Sequence, residues 1–110
     1  MSLDAAAIRA ALAARLDELR ALGARTKEDR APVELDQTAV GRLSRMDSLQ
    51  AQAMAVAAGK RRHDEARRIE AALTRLDDGE FGHCVKCGED IGAARLNVDL
   101  TIPTCIKCAR

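Results

Sequence analysis

Between Ser2 and about Thr26 the apolar residues Ile8, Leu12, Leu16, Leu19 and Leu22 recur at intervals of four, four, three and three. That spacing puts them on one face of an α-helix and predicts a helix over about 2–26. Ser2 is the expected N-cap, because its hydroxyl can accept a hydrogen bond from a free amide of the first turn. From Lys27 to Gln37 the periodicity stops: Pro32 blocks a continuous helix, and Asp29, Arg30, Glu34 and Asp36 make the stretch polar. A connecting loop over about 27–37 follows. A second helix is predicted over about 36–78 with Asp36 as its N-cap. Its apolar or small positions are Val40, Leu43, Met46, Leu49, Ala53 and Val56, then Ala66, Ile69, Leu73 and Leu76. This stripe slips by about one residue across Gly59 to His63, the drift expected of a 3.6-residue helix against a seven-residue repeat. Gly59 can also mark a bend. Gly79, behind Asp77 and Asp78, is the stop signal, since glycine takes the left-handed conformation that ends helices.

Helices of about 25 and 40 residues would be about 38 and 60 Å long, and the short connection makes them antiparallel. Met46 and Met54 are expected to fill the seam between them. After Gly79 the texture changes to Phe81, Gly82 and paired cysteines, with Leu96, Val98, Leu100 and Ile102 alternating. The alternation predicts a short extended strand. The expected architecture is therefore mainly α: a long antiparallel two-helix coiled-coil hairpin over 1–78, then a small module over 79–110.

The candidate chemistry lies in that module. Cys84 and Cys87 are separated by two residues, Cys87 and Cys105 by seventeen, and Cys105 and Cys108 by two. Two such pairs about 15–20 residues apart match a four-cysteine zinc pattern. A two-residue gap lets both sulfurs of a pair turn to one point, and Gly88 permits the tight turn behind Cys87. Four thiolates fill a tetrahedral sphere and leave no position for water or substrate, so one structural Zn2+ in a small treble-like finger is expected. Iron fits the same thiolate set. A redox pair would need a βαβ setting and disulfides an oxidising compartment, and neither context is present. His83, next to Cys84, is expected at the surface or behind the ligands.

Composition removes other classes. Phe81 is the one aromatic residue, so a spherical aromatic core is excluded and an elongated molecule is expected. Lys and Arg number 18 against 17 Asp and Glu, for a formal charge of +1. Four thiolates on one zinc move it to about −1. Neither value makes an electrostatic case for non-specific nucleic-acid binding. Asp4 and Arg9 interrupt the N-terminal apolar stretch, so no signal peptide is expected. No run reaches the ~18–20 apolar residues of a membrane span, and a cytoplasmic protein is expected. There is no serine–histidine pair in context, no glycine-rich phosphate loop and no open metal position, so an enzyme is not expected.

The run Asp78, Gly79, Glu80, Phe81, Gly82, His83, Cys84, Val85, Lys86, Cys87, Gly88, Glu89, Asp90, Ile91, Gly92, then Ala94, Arg95, Leu96, and finally Cys105, Ile106, Lys107, Cys108 resembles the DksA/TraR family of bacterial zinc-finger proteins. The resemblance covers residues 78–108, and the helical pattern over 2–77 is consistent with it. It implies a transcription regulator of the stringent-response kind. Such a protein binds RNA polymerase, inserts its coiled coil into the secondary channel, and often acts together with guanosine tetraphosphate. It implies no sequence-specific DNA contact, and a monomer is expected. It also implies an acidic tip of two aspartates three apart, with an alanine two further on. Here Asp29, Arg30, Ala31 reproduces the second half, and Thr26 stands at the first position. The expected polymerase-contacting tip is therefore Glu34, Asp36, Arg42, Arg45 and Asp47. The C-terminal helix of longer members is expected to be missing after Arg110. Two other classes stay open: a zinc-ribbon nucleic-acid binder using Lys86, Lys107 and Arg110, and a self-associating coiled coil without a polymerase role. The basic residues Lys60, Arg61, Arg62, Arg67 and Arg68 are expected on a solvated helix face.

Overall fold

The computed structural model describes residues 4–26 and 42–109, with the backbone alone for 42–44. Three helices follow in order: α1 (Ala5–Arg25), α2 (Arg42–Asp77) and α3 (Ala93–Val98). The N-cap of α1 is Asp4, whose Oδ1 accepts from the Ala6 amide at 3.0 Å. A carboxylate at that place also faces the positive end of the helix dipole. The expected cap, Ser2, lies outside the described residues, as do the predicted loop, Glu34, Asp36 and the expected start of the second helix. At the other end of α1, the Thr26 amide and hydroxyl both donate to the Leu22 carbonyl.

The end of α2 is fixed by a Schellman arrangement. Gly79 N–H donates to the Leu76 carbonyl at 3.2 Å and Glu80 N–H to the Arg75 carbonyl at 2.8 Å. Gly79 stands at φ 73°, the left-handed region this closure requires.

The two long helices pack antiparallel. Arg9 pairs with Asp77 at the base, and Arg62 donates to Thr26 Oγ1 at the other end of α1. Ile8, Leu12, Leu16 and Leu19 of α1 close on Ile69 and Ala72 of α2, with Ala66, Leu73, Leu76, Phe81 and Leu100 packed around them. Ile69 retains only 1% of its exposure. This is where burial of apolar area stabilises the hairpin. Arg15 grips both oxygens of Glu65, at 2.7 and 3.1 Å, and holds its carboxyl below the ordinary carboxylate range.

The upper seam differs from the predicted one. Carried up α2 in steps of three and four from Leu76, Leu73, Ile69 and Ala66, the inward positions are Arg62, Gly59, Ala55, Gln52 and Ser48, all buried or half-buried. There is no slip. Met46, Leu49, Ala53 and Val56, expected in the seam, are exposed, Met46 at 57%, and Met54 is exposed as well. The reason is phase: one helix presents one continuous line to its partner, and the large apolar residues near the base set it. The apolar residues above Gly59 fall off that line.

The expected strand over residues 96–102 is also absent, and among the described residues there is no strand. Its first three positions lie in α3, where Leu96 is buried at 1% exposure and Val98 is exposed at 85%. Asp99 Oδ1 then accepts from both the amide and the hydroxyl of Thr101, at 2.9 and 2.7 Å. This local side-chain closure bends the chain where a ladder would need it straight.

Candidate metal centre

The finger is built from two tight turns, each carrying one cysteine pair. In the first, Gly88 N–H donates to the Cys84 carbonyl at 2.8 Å, and Gly88 takes φ 78°. The Lys86 amide lies 3.4 Å from Cys84 Sγ. Around it the chain pairs antiparallel with itself at His83 and Asp90, through Cys84 N–H to the Glu89 carbonyl and Ile91 N–H to the Gly82 carbonyl. His83 itself is exposed, in keeping with its expected place. In the second turn, the Cys108 and Ala109 amides both donate to the Cys105 carbonyl. One bond, Val85 N–H to the Pro103 carbonyl at 2.9 Å, ties the two turns together.

These turns bring the four predicted ligands to one point. The sulfurs of Cys84, Cys87, Cys105 and Cys108 all lie within 4.8 Å of one another. Cys87 Sγ and Cys105 Sγ are 3.6 Å apart. Zinc–sulfur bonds of about 2.3 Å in a tetrahedron put sulfurs about 3.8 Å apart, so the cage has the size zinc requires. A disulfide needs about 2.05 Å, and all four cysteines are free thiols. Cys84 and Cys105 are buried together with Ile91 and Leu96, while Cys87 is exposed. The four cysteines are thus positioned to hold one Zn2+, and they are the one metal-ligand cluster among the described residues.

The electrostatics of the cage are uneven. The backbone amide of Cys105, with those of Cys87 and Lys86, pulls the Cys84 thiol down to about 6. The Cys108 amide likewise lowers Cys105. Cys108 is pushed up to about 12, chiefly because it shares its proton with Cys105 and then with Cys84 and Cys87. Four sulfurs this close cannot all ionise without a cation among them. Because the finger is expected to unfold without its ion, its thiols start protonated at neutral pH, and zinc binding should release close to four protons per ion, measurable with a pH indicator in weak buffer. Affinity should weaken steadily as pH falls below the ordinary thiol range, since every ligand must give up its proton to bind. Binding with no proton release would rule out the four-thiolate site.

Of the predicted tip residues, those that are described lie apart from this centre. Glu34 and Asp36 are outside the described residues, and of Arg42 only the backbone, the first residue of α2, is described. Arg45 is half-buried and Asp47 exposed in the turns that follow, at the end of α2 away from the cysteines.

Sequence reasoning missed how the finger is attached to the hairpin. Phe81 packs against both the hairpin core and the cysteine cluster. Arg75 of α2 reaches the Thr101 carbonyl at 3.4 Å, and its desolvation lowers its pKa. Arg95 Nε donates to the Thr104 carbonyl at 3.1 Å, next to Cys105. The available signal was Phe81 itself: a lone aromatic in an alanine-rich chain marks the place where two small cores must share one large side chain.

Comparison with known proteins agrees with this geometry. Residues 79–110 match the family described as the prokaryotic dksA/traR C4-type zinc finger. The RNA polymerase-binding transcription factor DksA of Haemophilus influenzae is 48% identical over 42 residues, which are 38% of this chain and 29% of that protein. DksA of Escherichia coli K12 is 40% identical over 42 residues, again 38% of this chain and 28% of that protein. The match thus spans less than a third of those relatives. The structure of transcription factor DksA2 from Pseudomonas aeruginosa superposes with a TM-score of 0.73 at 23% identity, covering 96% of this chain and 79% of that one. That likeness extends the shared fold from the finger through the paired helices. With the four-sulfur cage, residues 79–110 are thus similar in sequence to the prokaryotic dksA/traR C4-type zinc finger, and the chain as a whole shares the fold of DksA2.

Proposed function

We propose that this protein is a non-enzymatic transcription regulator that binds RNA polymerase by placing its hairpin in the secondary channel, with zinc as a structural ion. The supporting observation is a two-helix hairpin standing on a four-cysteine finger, in the fold of transcription factor DksA2. In this reading residues 1–78 are the reaching element and 79–110 the base, and the cysteines organise the base without touching the partner. The closed cage leaves zinc no coordination position for chemistry. Glu34, Asp36, Arg42, Arg45 and Asp47 are the proposed contacts at the tip. The protein acts as a cytoplasmic monomer, with guanosine tetraphosphate as a joint effector on the polymerase. Among the described residues no helix is long and apolar enough to cross a membrane.

The test is co-purification with core RNA polymerase in the absence of DNA, followed by transcription in vitro from a ribosomal-RNA promoter with and without guanosine tetraphosphate. Binding and an altered transcript yield are expected, with Asp36→Asn losing the effect on yield. Failure to bind at micromolar concentration would sink the proposal, and an unchanged effect of Asp36→Asn would refute the tip assignment. Binding instead to DNA alone, falling steeply with salt, is the mark of the zinc-ribbon alternative.

A further inference from the structure

The hairpin core ends at Leu19 of α1 and Ala66 of α2, and beyond them a glycine stands on the inward line of each helix. Gly23 follows Leu19 by one turn on the same face, and Gly59 lies two turns from Ala66. A methyl group placed on Gly23 would meet no neighbouring side chain or opposing backbone within 4 Å. Where larger side chains would close the seam, the two glycines leave a recess of about 170 Å3 between the helices. Leu19, Ala66 and the glycines supply its apolar lining, and Arg20, Arg62 and His63 supply the rest.

Arg62 is the unusual group in that lining. One of its terminal nitrogens donates to Thr26 Oγ1 at 2.8 Å, while its Nε is buried with no hydrogen-bond partner. It is the one such side-chain atom among the described residues. A buried charged donor left unpaired is costly, and folded proteins settle such groups with a water or an ion. Among the described residues Arg62 has no carboxylate partner, whereas Arg9, Arg15 and Arg20 each have one. The Arg20 contact, to Glu70, is the longest at 3.4 Å and engages one nitrogen of its fork. Among the described residues no carboxylate lines the recess.

We propose that this recess binds a small tetrahedral oxoanion of the phosphate class, held by the guanidinium groups of Arg62 and Arg20 and by a ring N–H of His63. Planar guanidinium forks match phosphate oxygens in pairs, and charge-assisted bonds of this kind are about twice as strong as neutral ones. The volume sets the size of the ligand. At about 30 Å3 per water the recess has room for about five waters, which suits one phosphate group. It is well below the ~300–1,000 Å3 of pockets that enclose drug-sized molecules. A metal cation does not fit, since His63 is the one side-chain metal ligand in the lining. The carbonyl end of α1 opposes an anion near Gly23, but a helix end carries about half a charge against the full charges of Arg20 and Arg62. The site goes beyond the polymerase reading and stands without it: an anion shared by Arg20 and Arg62 braces α1 against α2 where the apolar core has ended.

The experiment titrates the zinc-loaded full chain with inorganic phosphate at constant ionic strength and follows the nuclear magnetic resonance signals of the Arg62 Nε–H and of the Gly23 and Gly59 amides. Saturable shifts at these three places are expected, with half-saturation on the order of 1 mM, as a few charge-assisted bonds in a half-open recess allow. Arg62→Lys keeps the charge but loses Nε and the fork, and should weaken binding at least about tenfold. Gly23→Leu removes no charge and fills the recess, and should abolish binding with helical content by circular dichroism unchanged. Arg61→Gln, an exposed cation outside the lining, should bind as the parent does. Adenosine monophosphate in a parallel titration separates the sources: shifts as strong as those from phosphate assign the site to a phosphate ester, and weaker ones to the free ion. No saturable shift up to about 50 mM phosphate, far above the millimolar range expected, overturns the site, and a water then settles Arg62 Nε. Equal loss of binding in Arg61→Gln, undiminished binding in Gly23→Leu, or shifts centred on the cysteines overturns it as well.

Discussion

Stripping the metal with a chelator, or replacing Cys84 or Cys105 by serine, is expected to unfold residues 79–109 while much of the helical signal persists. Structural zinc in small modules contributes an apparent ~10–16 kcal/mol, as much as the ~5–15 kcal/mol that holds an ordinary domain together. The apolar cluster inside the finger is four residues, Cys84, Ile91, Leu96 and Cys105, and two of them are the ligands themselves. Too little apolar area is buried there to replace the ion. The hairpin has its own core of Ile8, Leu12, Leu16, Leu19, Ile69 and Ala72, but it would lose the packing of Phe81 and Leu100. Far-ultraviolet circular dichroism should therefore show a modest loss of helix and a lower melting temperature, while a thiol reagent titrates every cysteine at once, four in the chelated protein and three in either variant. A finger that stays protected from the reagent without metal would overturn this assignment.

Ile69→Ala should be the most damaging single change in the hairpin, at about 2–4 kcal/mol, because the side chain is fully enclosed and its removal leaves a cavity between the helices. Met46→Ala and Val56→Ala, exposed on the outer face, should stay within about 0.5 kcal/mol of the parent protein. Urea denaturation of the zinc-loaded protein measures all three. Equal losses at Ile69 and Val56 would mean that the upper seam runs through Val56 after all.

That contrast marks the limit of what the sequence made legible. The cysteine cage was fully legible, because metal geometry leaves little choice once two pairs lie seventeen residues apart. The lower hairpin was legible too, since Ile8, Leu12, Leu16 and Leu19 have no other face to occupy. The upper half of α2 was misread because residue type was allowed to choose the helical face. In the fold, phase is inherited from Ile69 and Leu73, and the inward positions above them are Arg62, Gly59 and Gln52, which no hydrophobicity pattern would select. Leu96, Val98, Leu100 and Ile102 were misread for a related reason. Alternation predicts a strand only where a ladder partner exists, and here Asp99 satisfies the backbone locally. The joint between hairpin and finger was invisible, since Arg75 and Thr101 lie 26 positions apart and carry no motif.

The closure of α2 at Gly79, and the packing of Phe81 directly behind it, also set a mechanical tolerance. A helix of 36 residues is about 54 Å long, so each degree of error at its base moves its far end by about 1 Å. Any task performed at that end is thus aimed from the finger, and a substitution at Phe81 or Arg75 would act like a loose pivot on a long lever. It would degrade pointing accuracy while leaving every residue at the working end intact.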